Sequence, residues 1–196
     1  MAKQFICGYT LTGALLLWSL ISSNFEFLFY GITTLILVAL LHTGNRHFNF
    51  GGKVLWGFNL WIILHILGGL LPIGNSVLYS FVIIELVPEP YSILKYDQLV
   101  HTYCYFIAAL LMWKVVSTLC TEHAQNSIIS MSIITVLAAT GIGGLNEIIE
   151  FLATVFIPDT NVGGYENTAI DIVSNFIGAC LAVFFFPAES RQASVQ

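Results

Sequence analysis

Charge is what this sequence lacks. Six basic and eleven acidic residues in 196 make up 9% of the chain, against about 25% in soluble domains. So little charge cannot solvate an ordinary globular surface, which excludes a soluble enzyme. Six basic residues form no patch for nucleic-acid phosphates, and 57% apolar residues is the reverse of a disordered composition. Cysteine is scarce too. Cys7, Cys104, Cys120 and Cys180 show no CxxC spacing, so neither a zinc knot nor a redox motif is expected; they read as small packing residues in helices. The chain has no internal repeat, linker or glycine-rich phosphate loop, and Gly163-Gly164 reads as a turn. One compact domain is expected.

What is present is apolar sequence, with a mean hydropathy of +0.86. Six stretches predict an all-α, polytopic membrane helix bundle of about six spans, since each span needs roughly 20 apolar residues. They run over 5–21, 27–41, 54–71, 98–116, 128–157 and 168–186. The first reads as a retained helix rather than a signal peptide, because no small-x-small cleavage site follows it. The fifth is too long for one perpendicular span; it must tilt, bend near Gly141–Gly144 or emerge as a turn. Residues 77–87, with Glu85 among them, are too few to span and read as an interfacial or re-entrant piece.

The scarce basic residues orient the bundle. Six spans with the N-terminus inside put Lys3, Arg46, Lys53, Lys114 and Arg191 on the cytoplasmic side and only Lys95 outside, as the positive-inside rule asks. Both termini are then cytoplasmic, and an inner-membrane location is expected. His42, His47 and His123 fall in or beside cytoplasmic loops and are expected to be solvated.

Ionisable residues within spans cost about 2.5–3.5 kcal/mol each at the centre on insertion scales, so each needs a partner or a purpose. His65 lies late in the third stretch, Asp97 and His101 start the fourth, Glu147 and Glu150 lie late in the fifth, and Asp171 and Asn175 early in the sixth. With alternating helix directions, all seven fall at the outer side of the membrane. Asp97 and His101 are i,i+4, Glu147 and Glu150 are i,i+3, and Asp171, Asn175 and Gly178 form one stripe, so each set shares a helix face. Four helices thus aim polar groups at one outward-facing cavity.

Two chemistries fit. His65, His101, Glu147, Glu150 and Asp171 could ligate a divalent metal. Alternatively, Glu147 and Glu150 could serve as a catalytic acid–base pair, because two close carboxylates resist joint ionisation. Plainer readings stand beside these. His65 alone reads as a packed histidine, Asp97 as a helix cap, and Asn175 equally as an interhelical hydrogen bonder. The Glu147/Glu150 pair is the hardest to explain structurally. Tyr79, Phe81, Tyr91, Tyr96, Tyr103 and Tyr105 read mostly as an interfacial aromatic belt.

Asp97-Gln-Leu-Val-His101, Glu147-Ile-Ile-Glu150 and Asp171-Ile-Val-Ser-Asn175-Phe-Ile-Gly178, preceded by His65-Ile-Leu-Gly-Gly69, resemble the VanZ-like membrane proteins and, among them, the YjdF-like branch. The resemblance covers about residues 55 to 185. Two departures stand out. Gln98 occupies the place where the branch usually has Arg, and Gly164-Tyr-Glu-Asn-Thr168 replaces its Gly-Asp stretch. The resemblance implies a small multi-pass bacterial membrane protein of unassigned activity. The sequence therefore leads to an outward-facing site for a polar or lipid-linked envelope molecule, with membrane lipids around it. The alternatives are a proton-coupled carrier using the same carboxylates, or a non-catalytic membrane partner in which the polar residues lock the helices.

Overall fold

The computed structural model describes residues 2–120, 127–158 and 160–186; Glu122, His123, Pro187, Glu189 and Arg191 lie outside them. Its framework is six helices: α1 Ala2–Ile21, α2 Phe25–Phe48, α3 Gly52–Leu70, α4 Tyr96–Leu119, α5 Ile128–Phe156 and α6 Tyr165–Ala182, the last extended by a tight turn over Val183–Phe185. All six are long and apolar enough to cross a membrane. Their outer faces carry apolar side chains such as Ile133, Leu137, Leu145 and Phe151 of α5. A helix that is apolar on its exposed face as well as its packed one belongs in lipid.

Polar residues set the helix ends. The Asn24 side chain caps α2 by accepting the Phe27 N–H at 2.9 Å. Asn49 ends α2 in the left-handed conformation, its N–H bonded to the Asn45 carbonyl. Turns this short reverse the chain at each step, so α2 runs antiparallel to α1, its packed neighbour, and α3 returns alongside α1. At the start of α4 the Gln98 amide oxygen accepts the N–H groups of Leu94 and Lys95, the latter at 3.0 Å. Asp97 lies in the first turn, where an acid suits the helix dipole, but the side-chain bonds at the helix start are made by Gln98.

The 29 residues of α5 form one uninterrupted helix through Gly141–Gly144. At 1.5 Å per residue it is about 43 Å long, more than the roughly 30 Å hydrocarbon layer. Between α3 and α4 the chain makes two small antiparallel pairs. In the first, β1 Pro72–Ile73 pairs with β2 Ser76–Val77; in the second, β3 Val82–Val87 pairs with β4 Ile93–Lys95. A helical turn over Leu78–Ser80 separates them. Hairpins satisfy backbone polar groups in a segment too short to span.

Helix α4 is the centre of the bundle, packing against α3, α5 and α6, while α1 packs against α2 and α3. Ala109, Trp113, Met131, Ala139, Ala179 and Phe186 form the largest buried cluster, between α4, α5 and α6. Its alanines let the three helices approach closely, as small residues do where lipid supplies no hydrophobic drive for association. The four cysteines form no disulfide. His42, expected in solvent, instead stacks on Phe5 and hydrogen-bonds Tyr9 at 3.2 Å, because α1 and α2 pack side by side there.

Candidate functional site

At one end of the bundle the polar residues of α4, α5 and α6 meet. His101 sits at the hub, 7% exposed. Its Nδ1 is 2.9 Å from the Asn175 side-chain oxygen on α6. Its Nε2 is 3.6 Å from Asp97 Oδ1 on its own helix and 3.8 Å from Glu150 Oε1 on α5. Glu147 Oε1 lies 3.7 Å from Nδ1. The Asn167 amide donates to Asp171 Oδ2 at 2.6 Å and reaches Asp97 Oδ2 at 3.4 Å, and the Asn146 amide donates to Glu150 at 2.7 Å. Among the described residues, His101 is the only basic side chain in ion-pair contact with these carboxylates.

The local sequence explains the convergence. The i,i+4 and i,i+3 spacings hold Asp97 with His101, and Glu147 with Glu150, on single faces. Asn167, Asp171 and Asn175 continue one stripe down α6. Gly178 lets that stripe reach α4: a Cβ there would run into the Thr102 carbonyl. Asp171 and Asn175 are fully buried and Glu147 is 7% exposed. Among the described residues Asp171 Oδ1 has no hydrogen-bond partner, and both Glu147 oxygens and the Asn175 amide nitrogen have none of good geometry. A buried polar group left so costs about 1–3 kcal/mol. Two sets bring one ligand atom from each member within 4.8 Å of one another: Asp97, His101 and Asp171, and His101, Glu147 and Glu150.

A cavity of about 180 Å³ opens against this hub. Asp97, His101, Asn146 and Glu150 form its polar wall together with Glu26, Lys95, Asn161 and Asn167, and Tyr30, Trp61, His65 and Tyr79 line it as well. Glu147, Asp171 and Asn175 stand behind the polar wall and do not line it. Five of the seven predicted residues (Asp97, His101, Glu147, Glu150 and Asp171) therefore enter the converging sets, and Asn175 holds the imidazole. His65 lines the same cavity on the aromatic side, hydrogen-bonded to the Tyr79 hydroxyl and stacked on Trp61 with centroids 5.6 Å apart. Tyr79 lies in the helical turn between the two hairpins, outside the six long helices, and burial pushes its phenol above the ordinary tyrosine range; it stays a neutral hydrogen-bonding group.

Four of the six aromatics expected in the belt turn inward. Tyr79 bonds His65, Tyr96 the Leu64 carbonyl and Tyr103 the Gly57 carbonyl, while Tyr105 is buried and lines the cavity. Phe81 and Tyr91 remain exposed. A tyrosine hydroxyl that finds a carbonyl inside has no need of the interface. Sequence reasoning also missed Glu26, Asn146, Asn161 and Asn167. Glu26 accepts the Asn161 backbone N–H at 3.0 Å and its amide at 2.8 Å, tying the segment after α5 to the start of α2 and closing one side of the cavity. Asn167 was findable, four residues before Asp171 on the same stripe, and so was Asn146, next to Glu147 in an apolar helix.

No curated protein and no solved structure matches this chain. Residues 5–191 match the family described as "Predicted membrane protein (DUF2238)". That match spans nearly the whole chain, every helix and both sides of the cavity, and the chain belongs to this family of membrane proteins.

Proposed function

We propose that this chain is a bacterial inner-membrane protein whose cavity faces the extracytoplasmic side and takes the polar head group of an envelope molecule, free or lipid-linked. Glu150 and Glu147 act there as an acid–base pair, with His101 between them. One observation carries the reading: a cavity lined both by aromatic rings and by the carboxylates Glu26, Asp97 and Glu150, with His65, His101 and Lys95 among them. Aromatic faces suit the neck or sugar rings of a lipid-linked molecule, and carboxylates suit its polar atoms and protons. Glu150 reaches the cavity and Glu147 stands behind it on the same helix face, so Glu150 is assigned direct contact and Glu147 the tuning of its proton affinity. The charge asymmetry of the loops supports the orientation. The resemblance to the YjdF-like branch of the VanZ-like proteins supports the bacterial envelope.

The test is native mass spectrometry of protein purified in mild detergent, followed by turnover of envelope lipid extract in proteoliposomes. A head-group-bearing molecule is expected to co-purify. Glu150→Gln is expected to keep it bound while lowering turnover at least about 100-fold, the low end for a lost general acid or base. Undiminished turnover in Glu150→Gln sinks the acid–base role, and the lack of any head-group adduct sinks the binding role.

A further inference from the structure

We propose that Asp97, His101 and Asp171 form a site for one divalent cation of mixed nitrogen and oxygen preference, of the Mn²⁺ or Zn²⁺ kind, oriented by Asn167 and Asn175. Any use of the ion in catalysis rests on the acid–base reading above; the site itself is argued from geometry.

The imidazole is set for ligation. An amide oxygen only accepts hydrogen bonds, so Asn175 Oδ1, 2.9 Å from Nδ1, places the ring proton there and leaves the lone pair on Nε2. An outer partner on the second nitrogen is how metal-bound histidines are generally held. Nε2 then faces Asp97 Oδ1 at 3.6 Å, too far for a hydrogen bond. Two ligand atoms each about 2.1 Å from a shared cation stand roughly 3.4 Å apart in tetrahedral geometry, close to that separation.

The carboxylates are oriented by the same logic. Asn167 holds Oδ2 of both Asp171 and Asp97, at 2.6 and 3.4 Å. This leaves Oδ1 of Asp97 towards the imidazole. Among the described residues Asp171 Oδ1 has no hydrogen-bond partner, although Asp171 is fully buried. That orphaned oxygen is the second, independent sign of a ligand, because an unmatched buried carboxylate oxygen is costly. Asp97, His101 and Asp171 bring their ligand atoms within 4.8 Å of one another. Charge points the same way. Among the described residues, His101 alone stands in ion-pair contact with these carboxylates, and no lysine or arginine is paired with Asp97 or Asp171. Three protein ligands would leave coordination positions open on the side where Asp97 and His101 line the cavity, the pattern of catalytic rather than structural sites.

The experiment strips metal from the detergent-purified full-length protein, adds Zn²⁺ or Mn²⁺ alone, and measures binding by calorimetry and bound metal by elemental analysis. One equivalent per chain is expected. Asp171→Asn is expected to weaken binding at least tenfold. Asn167→Ala, which removes no ligand, is expected to weaken it about 10–100-fold as an outer-shell change, and helical circular dichroism verifies that both variants fold. Glu147→Gln, outside the three-residue set, is expected to keep one equivalent. No saturable binding below millimolar concentrations overturns the site and leaves the acid–base role standing, as does an affinity unchanged in both Asp171→Asn and Asn167→Ala. Saturable binding in a Glu150→Gln protein of undiminished turnover supports the cation site and removes the acid–base role.

Discussion

Gly178 and Gly144 show how much a single hydrogen in place of a side chain decides. Gly178 on α6 lies against the α4 backbone, where a Cβ would collide with the Thr102 carbonyl, whereas a Cβ on Gly144 of α5 meets nothing within 4 Å. Backbone cannot swing away as a side chain can. Gly178→Ala is therefore expected to push α6 from α4 and to destabilise by about 1–3 kcal/mol, the usual cost of overpacking. Gly144→Ala is expected to be neutral or to stabilise by up to about 1 kcal/mol through helix propensity. Thermal unfolding of the two variants in one detergent checks the pair; equal Tm values would contradict the close approach. The same contact delivers Asp171 and Asn175 to His101, so Gly178→Ala is also expected to disturb the hub.

At the scale of elements, the informative piece is His65-Ile-Leu-Gly-Gly69 at the end of α3. Gly68 makes room for the ring of Tyr79 and Gly69 for the ring of Phe27, so the two glycines admit α2 on one side and the hairpin segment on the other. Tyr79 then bonds both the imidazole and the carbonyl of His65. This fastens the connection between α3 and α4 over the aromatic wall. Tyr79→Phe keeps the ring and removes only the hydroxyl, leaving the buried His65 Nδ1 without its partner. It is expected to cost about 1–3 kcal/mol and to loosen the segment over 71–95. Hydrogen–deuterium exchange there reads the effect; protection equal to wild type would show that the hydroxyl fastens nothing. Because the buried phenol is pushed upward and remains neutral, the substitution changes no charge.

For the whole molecule, the orientation is the main expectation. A reporter fused after Gln196 is expected in the cytoplasm. Cys104, which lines the cavity, offers a second check. In a variant keeping that cysteine alone, an impermeant thiol reagent is expected to react from the extracytoplasmic face only. Reaction from both faces would favour a carrier over the proposed enzyme, and an extracytoplasmic C-terminal reporter would invert the topology.

The linear sequence determined the membrane setting, the number of helices and which end of each carries polar groups. Composition, run length and i,i+3 or i,i+4 spacing are local properties that one strand of text records. Asp97 with His101, and Glu147 with Glu150, were legible for that reason. Tertiary structure alone decided which faces meet. It turned His65 towards Tyr79 and Trp61 rather than into the converging carboxylates, and gave the side-chain bonds at the start of α4 to Gln98 beside Asp97. It also paired Glu26 with Asn161 across 135 positions. The depth to which α6 sinks against α4 at Gly178 separates Asp171, fully buried, from Asp97 at the cavity wall. Helix rotation and interhelical distance depend on packing between residues far apart in sequence, and no local periodicity encodes them.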